Sequence, residues 1–192
     1  MKQKLSTIFL KFQVLAILLI VIDQVTKFIF RTYFEVGEYV PVIENFFYIK
    51  LIYNTGAAAS IFEGQTWLLT IFSILACVAI EYYLIKHKPK DWILVTILLV
   101  LLAGAFGNLI DRLFAQKVTD FLCFFIFGGE FPTFNFADIC VTLSCIALII
   151  YSFFMPETKK KTTQPTLQEK NEEEMASVSI EENKEEQHDG LQ

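Results

Sequence analysis

The chain is short of the residues that most hydrolytic and redox sites use. It has only 2 histidines, His87 beside a lysine-rich turn and His188 in the charged C-terminal stretch. A Ser-His or Cys-His nucleophile is therefore not expected, and without an H-E-x-x-H pattern neither is a histidine-bound zinc. The 4 cysteines, Cys77, Cys123, Cys140 and Cys145, lack C-x-x-C spacing and read as buried, inert thiols. No glycine pattern for binding phosphate or a dinucleotide is present. These absences argue against a histidine-bound or C-x-x-C metal site and against a nucleotide cofactor. Positive charge is scarce as well: 16 Lys and Arg stand against 21 Asp and Glu, a net charge of −5. A nucleic-acid partner, which needs a basic face, is excluded on that ground.

What the chain has is oil. Hydrophobic residues make up 54% of the 192 and aromatics 15%, and the mean hydropathy is +0.48. Charge is unevenly spread: the 11 acidic and 11 basic residues of 1–156 cancel, while 10 acids against 5 bases in 157–192 carry the whole −5. The body, 1–156, reads as a membrane domain, and 157–192 has the Glu, Lys, Gln, Ser and Thr composition of a disordered acidic tail. Four apolar runs, at about 8–30, 67–85, 92–110 and 136–155, each approach the ~20 residues needed to cross a ~30 Å hydrocarbon layer. Lysines cluster at Lys2, Lys4 and Lys11, at Lys86, Lys88 and Lys90, and at Lys159, Lys160 and Lys161. The positive-inside rule then places both termini in the cytoplasm and turns segments 31–66 and 111–135 outward.

The outward segments have their own character. Tyr39 to Tyr53 is rich in Val, Ile, Phe and Tyr, which predicts a strand or hairpin and hence a small sheet on the outer membrane surface. Phe121 to Phe136 carries seven phenylalanines with turn signals at Gly128, Gly129 and Pro132, and reads as an apolar loop at headgroup level. The fold class expected is an α-helical membrane protein, with four transmembrane helices and a small outward β-sheet.

Carboxylates in or beside a span are costly, so each calls for a purpose. Asp23 and Lys27 are spaced i, i+4, as an intrahelical ion pair would be. Asn108, Asp111 and Arg112 share a helical face at the end of the third run. Asn54 to Ser60 offers small residues and a turn around Gly56. Asp138 stands where the fourth helix begins and is placed to cap it. Capping does not account for Asp120, in Val118-Thr119-Asp120-Phe121. Two carboxyls brought together at low dielectric share a proton, and such a pair activates water in aspartic proteases. The other chemistry open to these acids is proton-coupled transport, with Asp23 and Asp120 as relay groups in a small four-span carrier.

Taken together, Asp23-Gln24-Val25-Thr26-Lys27, Asn54-Thr55-Gly56-Ala57-Ala58, Gly104 to Arg112, Val118 to Phe121 and Phe134 to Asp138 resemble the type II (lipoprotein) signal peptidases, membrane aspartyl proteases of bacteria. The resemblance implies a catalytic dyad of Asp120 and Asp138. It also implies cleavage before a diacylglyceryl-modified cysteine of a prolipoprotein, in contact with membrane lipid, by a cofactor-free monomer in the bacterial inner membrane with its site at the outer face. By position it implies that Asp23, Lys27, Asn54, Gly56, Asn108, Asp111, Arg112, Asn135 and Ala137 bind substrate or support the site. Asn54 and Arg112 are expected to hold substrate backbone, and Asn108 and Asn135 to orient the aspartates. The chain departs from the family pattern at Ala59, Ala103, Gln116 and Thr119, where Phe, Gly, Gly and Val respectively are usual.

Overall fold

A computed structural model describes residues 2–56 and 62–154. Ala57, Ala58, Ala59 and Ser60, together with the acidic stretch 157–192, lie outside the described residues. The chain runs α1 (Lys2–Tyr33), β1 (Val40–Ile43), β2 (Phe47–Asn54), α2 (Thr66–His87), α3 (Trp92–Ala115), β3 (Val118–Ile126), β4 (Gly129–Glu130) and α4 (Phe136–Phe154). All four helices contain stretches long and apolar enough to cross a bilayer. The expected spans fall within or close to them, with α1 beginning earlier than the apolar run and α3 extending past it.

Helix ends follow local chemistry. The Asp91 carboxylate caps α3 by accepting a hydrogen bond from Ile93 N at 2.8 Å, satisfying one of the orphan donors of the first turn. α2 stops at Lys88 and α3 at Gln116, both left-handed, with backbone N–H groups donating to Leu84 and Arg112 carbonyls. A left-handed residue strongly favours glycine, and Gln116 adopts that conformation here with a φ of 55°.

α3 is the central post, packing on α1, α2 and α4. Its first half joins Ala16 of α1 and Leu84 of α2 in an apolar core of Val95, Leu98, Leu99 and Ala103. That core lies toward the end of the bundle carrying the Lys86–Lys90 turn. Outward faces keep large apolar side chains such as Phe28, Phe72, Val78 and Phe153 exposed, as lipid-facing surfaces do.

The second half of α3 is different. A Cβ on Gly104 would lie 2.6 Å from the Ala137 carbonyl oxygen, and one on Gly107 2.6 Å from Asp23 Oδ2. The two glycines thus let α1 and α4 approach the α3 backbone, the close packing that small residues permit between membrane helices.

The strands between α1 and α2 and between α3 and α4 form one antiparallel sheet in the order β1-β2-β3-β4. This corrects the reading of the Phe-rich segment as a loop. Its first part is the strand β3, which pairs with β2 from Phe47↔Phe124 to Asn54↔Val118. The alternation is masked in the sequence because phenylalanines occur on both faces of the strand, two of them stacked on other rings: Phe121 on Phe30 of α1 and Phe124 on Phe47 of β2. Phe127 and Gly128, both with positive φ, make the tight two-residue turn into β4.

Gly107→Ala is expected to lower stability by about 1–3 kcal/mol, because the displaced atoms belong to a buried carboxylate held on all sides. The measurement is the thermal midpoint in detergent; a midpoint within a degree of the parent contradicts the close-approach argument.

Candidate active site

The end of the bundle away from the apolar core is polar and closed. Asp23, Lys27, Asn108, Asp111, Thr119, Asp120 and Asn135 are all buried there. Three elements supply the charges, and Lys27 stands at their centre with its side chain wholly inaccessible. Its Nζ is 2.9 Å from Asp23 Oδ2 and 3.3 Å from Asp111 Oδ2, and it donates to Asn108 Oδ1 at 3.0 Å. An ammonium has three N–H donors, and here each has an acceptor. The i, i+4 spacing of Asp23 and Lys27 does produce an ion pair, one that α3 extends.

Each carboxylate of this group also holds backbone. Asp23 Oδ1 accepts from Ala137 N at 3.0 Å, tying α1 to the start of α4. Asp111 Oδ2 accepts from Thr119 N at 3.0 Å, tying α3 to β3. Two residues the sequence reading passed over take part. Gln24 donates to Asp23 Oδ2 and to the Gly107 carbonyl, both at 3.0 Å. Arg31 lies 3.3 Å from Asp111 Oδ1. Arg31 was legible in principle, since 23, 27 and 31 form an i, i+4, i+8 stripe on one helix face.

Above this ionic layer sit Asp120 and Asp138, bridged by asparagines. Asn135 Nδ2 donates to Asp120 Oδ1 at 2.6 Å and to Asn108 Oδ1 at 3.1 Å. Asn108 Nδ2 donates to Asp138 Oδ1 at 2.7 Å. The start of α4 is a reciprocal cap: Asp138 N donates to Asn135 Oδ1 at 3.0 Å, and Asn135 N donates to Asp138 Oδ2 at 3.1 Å. Asn135 is therefore the N-cap, and Asp138 is the third helical residue that answers it. Asp138 keeps a capping part while facing Asp120 through shared partners.

Asn54 comes from β2. It stands opposite Val118, so its side chain shares a face with Asp120 two residues on. Its Nδ2 donates to Asp120 Oδ2 at 3.0 Å, and its Oδ1 accepts from Gly56 N at 2.9 Å. Asn54 thus holds an aspartate here, where the sequence reading gave it substrate backbone. The Arg112 Nε is buried with no hydrogen-bond partner among the described residues. Asp120 is 1% exposed, and burial, then the neighbouring Asp138 charge, pushes its carboxyl up to about 7.

Every site residue read from the sequence therefore converges on one region. Of the bridged pair, Asp138 borders an outside groove, while Asp120 is buried. That groove, about 750 Å³, is lined by residues including Asn54 and Asp138. Among the described residues no group of His, Cys, Asp and Glu could hold a metal ion.

Comparison with known proteins places this architecture. The model of the Peptidase_A8 family, signal peptidase (SPase) II, matches residues 15–154. The lipoprotein signal peptidase of Bacillus pumilus is 38% identical over 156 residues, covering 81% of this chain and 98% of that protein. That of Geobacillus kaustophilus is 36% identical over 146 residues, covering 76% and 95%. A solved bacterial membrane enzyme superposes with a TM-score of 0.71 at 35% identity, covering 78% of this chain and 92% of its own. A second gives 0.67, also at 35% identity, covering 75% and 93%.

Lys27→Met leaves two buried carboxylates without their shared cation and is expected to cost about 3–5 kcal/mol. Adding Asp23→Asn removes one of the stranded charges and should recover part of the loss in a thermal unfolding series. A double variant no more stable than Lys27→Met contradicts the pairing.

Proposed function

This chain belongs to the signal peptidase II family, and from that footing we propose that Asp120 and Asp138 form an aspartic protease dyad that removes signal peptides from diacylglyceryl-modified prolipoproteins. The observation that carries the reading is the asparagine bridge, Asn135 to Asp120 and Asn108 to Asp138, which links a buried carboxyl to one that borders an open groove. Charge balance supports it. Four carboxylates, Asp23, Asp111, Asp120 and Asp138, share this end of the bundle with three cations, Lys27, Arg31 and Arg112. A buried cluster avoids net charge, and the sum reaches zero when the Asp120/Asp138 pair keeps one proton.

That protonation state suits peptide hydrolysis. The ionised carboxylate takes a proton from water as its oxygen attacks the scissile carbonyl, while the protonated partner donates to the carbonyl oxygen. Collapse of the tetrahedral intermediate breaks the C–N bond, and the proton taken from water passes to the leaving amine. Asn54, Asn108 and Asn135 orient the carboxyls. Arg112, with an uncommitted buried N–H, is suited to a substrate carbonyl. A signal peptide crosses the same bilayer as the enzyme, so its cleavage site arrives where spans end. Lys86, Lys88 and Lys90 in the α2–α3 turn favour a cytoplasmic face there and an outward face for the dyad. The acyl chains remain in lipid beside α4. The carrier alternative finds no support in the family.

Asp120→Asn and Asp138→Asn are each expected to reduce processing by about a thousandfold or more while the protein stays folded. A gel-shift assay of prolipoprotein in proteoliposomes reads this, and normal processing by either variant overturns the dyad. The pH dependence has a definite sign. Asp120 holds its proton below about 7, so kcat should decline as pH rises through that value. A profile flat to about pH 9 contradicts the shared proton.

A further inference from the structure

The groove beside Asp138 is lined by Ile139, Thr142 and Leu143 of α4 and by Glu63 and the segment Glu130–Phe134. β4 is only two residues long, and the segment after it bonds β3 again at Phe131, whose N donates to the Phe124 carbonyl at 2.7 Å, and at Phe134, whose N donates to the Leu122 carbonyl at 3.1 Å and whose carbonyl accepts from Leu122 N at 2.8 Å.

Glu130, paired with Phe125 of β3, is tied further by its side chain. Its Oε1 is 2.7 Å from Lys50 Nζ of β2, and its Oε2 accepts from Tyr39 OH, just before β1, at 2.6 Å. Lys50 also hydrogen-bonds the Tyr39 hydroxyl and lies over that ring, 4.2 Å from its centroid. Cys123 of β3, fully buried, lies below with its Sγ 3.6 Å from Glu130 Oε1. One carboxylate thus joins β4 to β2 and to the residue before β1, across β3. Burial alone pushes the Glu130 carboxyl up, but Lys50 and Tyr39 outweigh it and leave it below the ordinary range. The clasp therefore stays charged throughout the neutral range.

We propose that the Lys50–Glu130–Tyr39 clasp fixes the outer wall of the groove and so positions the stretch of substrate that follows the scissile bond. The inference rests on the proteolytic reading above. A substrate whose acyl chains and signal helix lie in lipid along α4 leaves the Glu130 side of the groove to the first residues of the released protein. The clasp holds the wall without touching the dyad: none of its members hydrogen-bonds Asp120, Asp138 or their asparagines among the described residues. Its loss therefore acts on binding.

The test uses the full chain in detergent with two synthetic diacylglyceryl-cysteine signal peptides, one ending a single residue after the cysteine and one continuing about ten residues further. Glu130→Gln and Lys50→Met are each expected to raise KM for the long substrate about fivefold, the scale of a partly exposed ion pair. kcat should stay within about twofold, and KM for the short substrate should not change. Tyr39→Phe, which removes one hydroxyl, should give about a twofold rise by the same route. The paired exchange Lys50→Glu with Glu130→Lys should recover most of the loss, because it restores the ion pair. Equal losses on both substrates, a fall in kcat with KM unchanged, or no recovery in the exchange overturns the proposal. Parent protein that cuts neither peptide overturns the proteolytic reading itself, whereas a parent that cuts both, beside clasp variants of unchanged KM, overturns the clasp alone.

Discussion

The structure depends on one ammonium group. Lys27 Nζ reaches Asp23, Asp111 and Asn108, and each of these does something further. Asp23 holds the first turn of α4 and Asp111 holds Thr119 N at the start of β3, while Asn108 holds Asp138. A bare charge in this setting costs several kcal/mol. The protein meets that cost by giving the ammonium three acceptors, and it gives each of those acceptors a second attachment. The result is a rigid joint between elements far apart in sequence. Positions of Asp120 and Asp138 are set from below by this joint and from the side by Asn54 and Asn135.

The bundle is divided to suit. At one end Leu84, Leu98 and Leu99 supply ordinary apolar packing. At the other, helices meet through charges and hydrogen bonds, and Gly104 and Gly107 remove the side chains that would hold them apart. Apolar contact alone discriminates poorly between helix pairings when lipid is as apolar as leucine. The polar end thus supplies register as well as chemistry, since Asp23 can reach Ala137 N in only one helix arrangement.

Much of this was legible beforehand because bilayer physics is strict. Runs of about 20 apolar residues, lysines at one set of turns, and acids retained near span ends point to four helices with a polar end. Asp23 and Lys27 declared their pairing by spacing. What the sequence hid came from contacts between distant segments. Asn54 gave no sign that it serves Asp120, because that depends on β2 and β3 lying side by side in a particular register. The strand β3 resembles a loop in sequence because Phe121, Phe124 and Phe125 blur the period of two; in the structure it stacks Phe121 on Phe30 of α1 and Phe124 on Phe47 of β2. Gln24 and Arg31 passed as ordinary polar residues of a helix end, and only the approach of α3 makes partners for them.

The reciprocal cap at Asn135 and Asp138 has a bearing on how the protein comes into being. The same two hydrogen bonds that start the last helix also aim one of the carboxyls, and Asp23 at the far end of the chain reaches the same turn. A growing polypeptide that has inserted three helices has Asp120 but neither its bridging asparagine nor its companion acid. On the reading of Asp120 and Asp138 as a dyad, hydrolysis requires both acids and so awaits the final span.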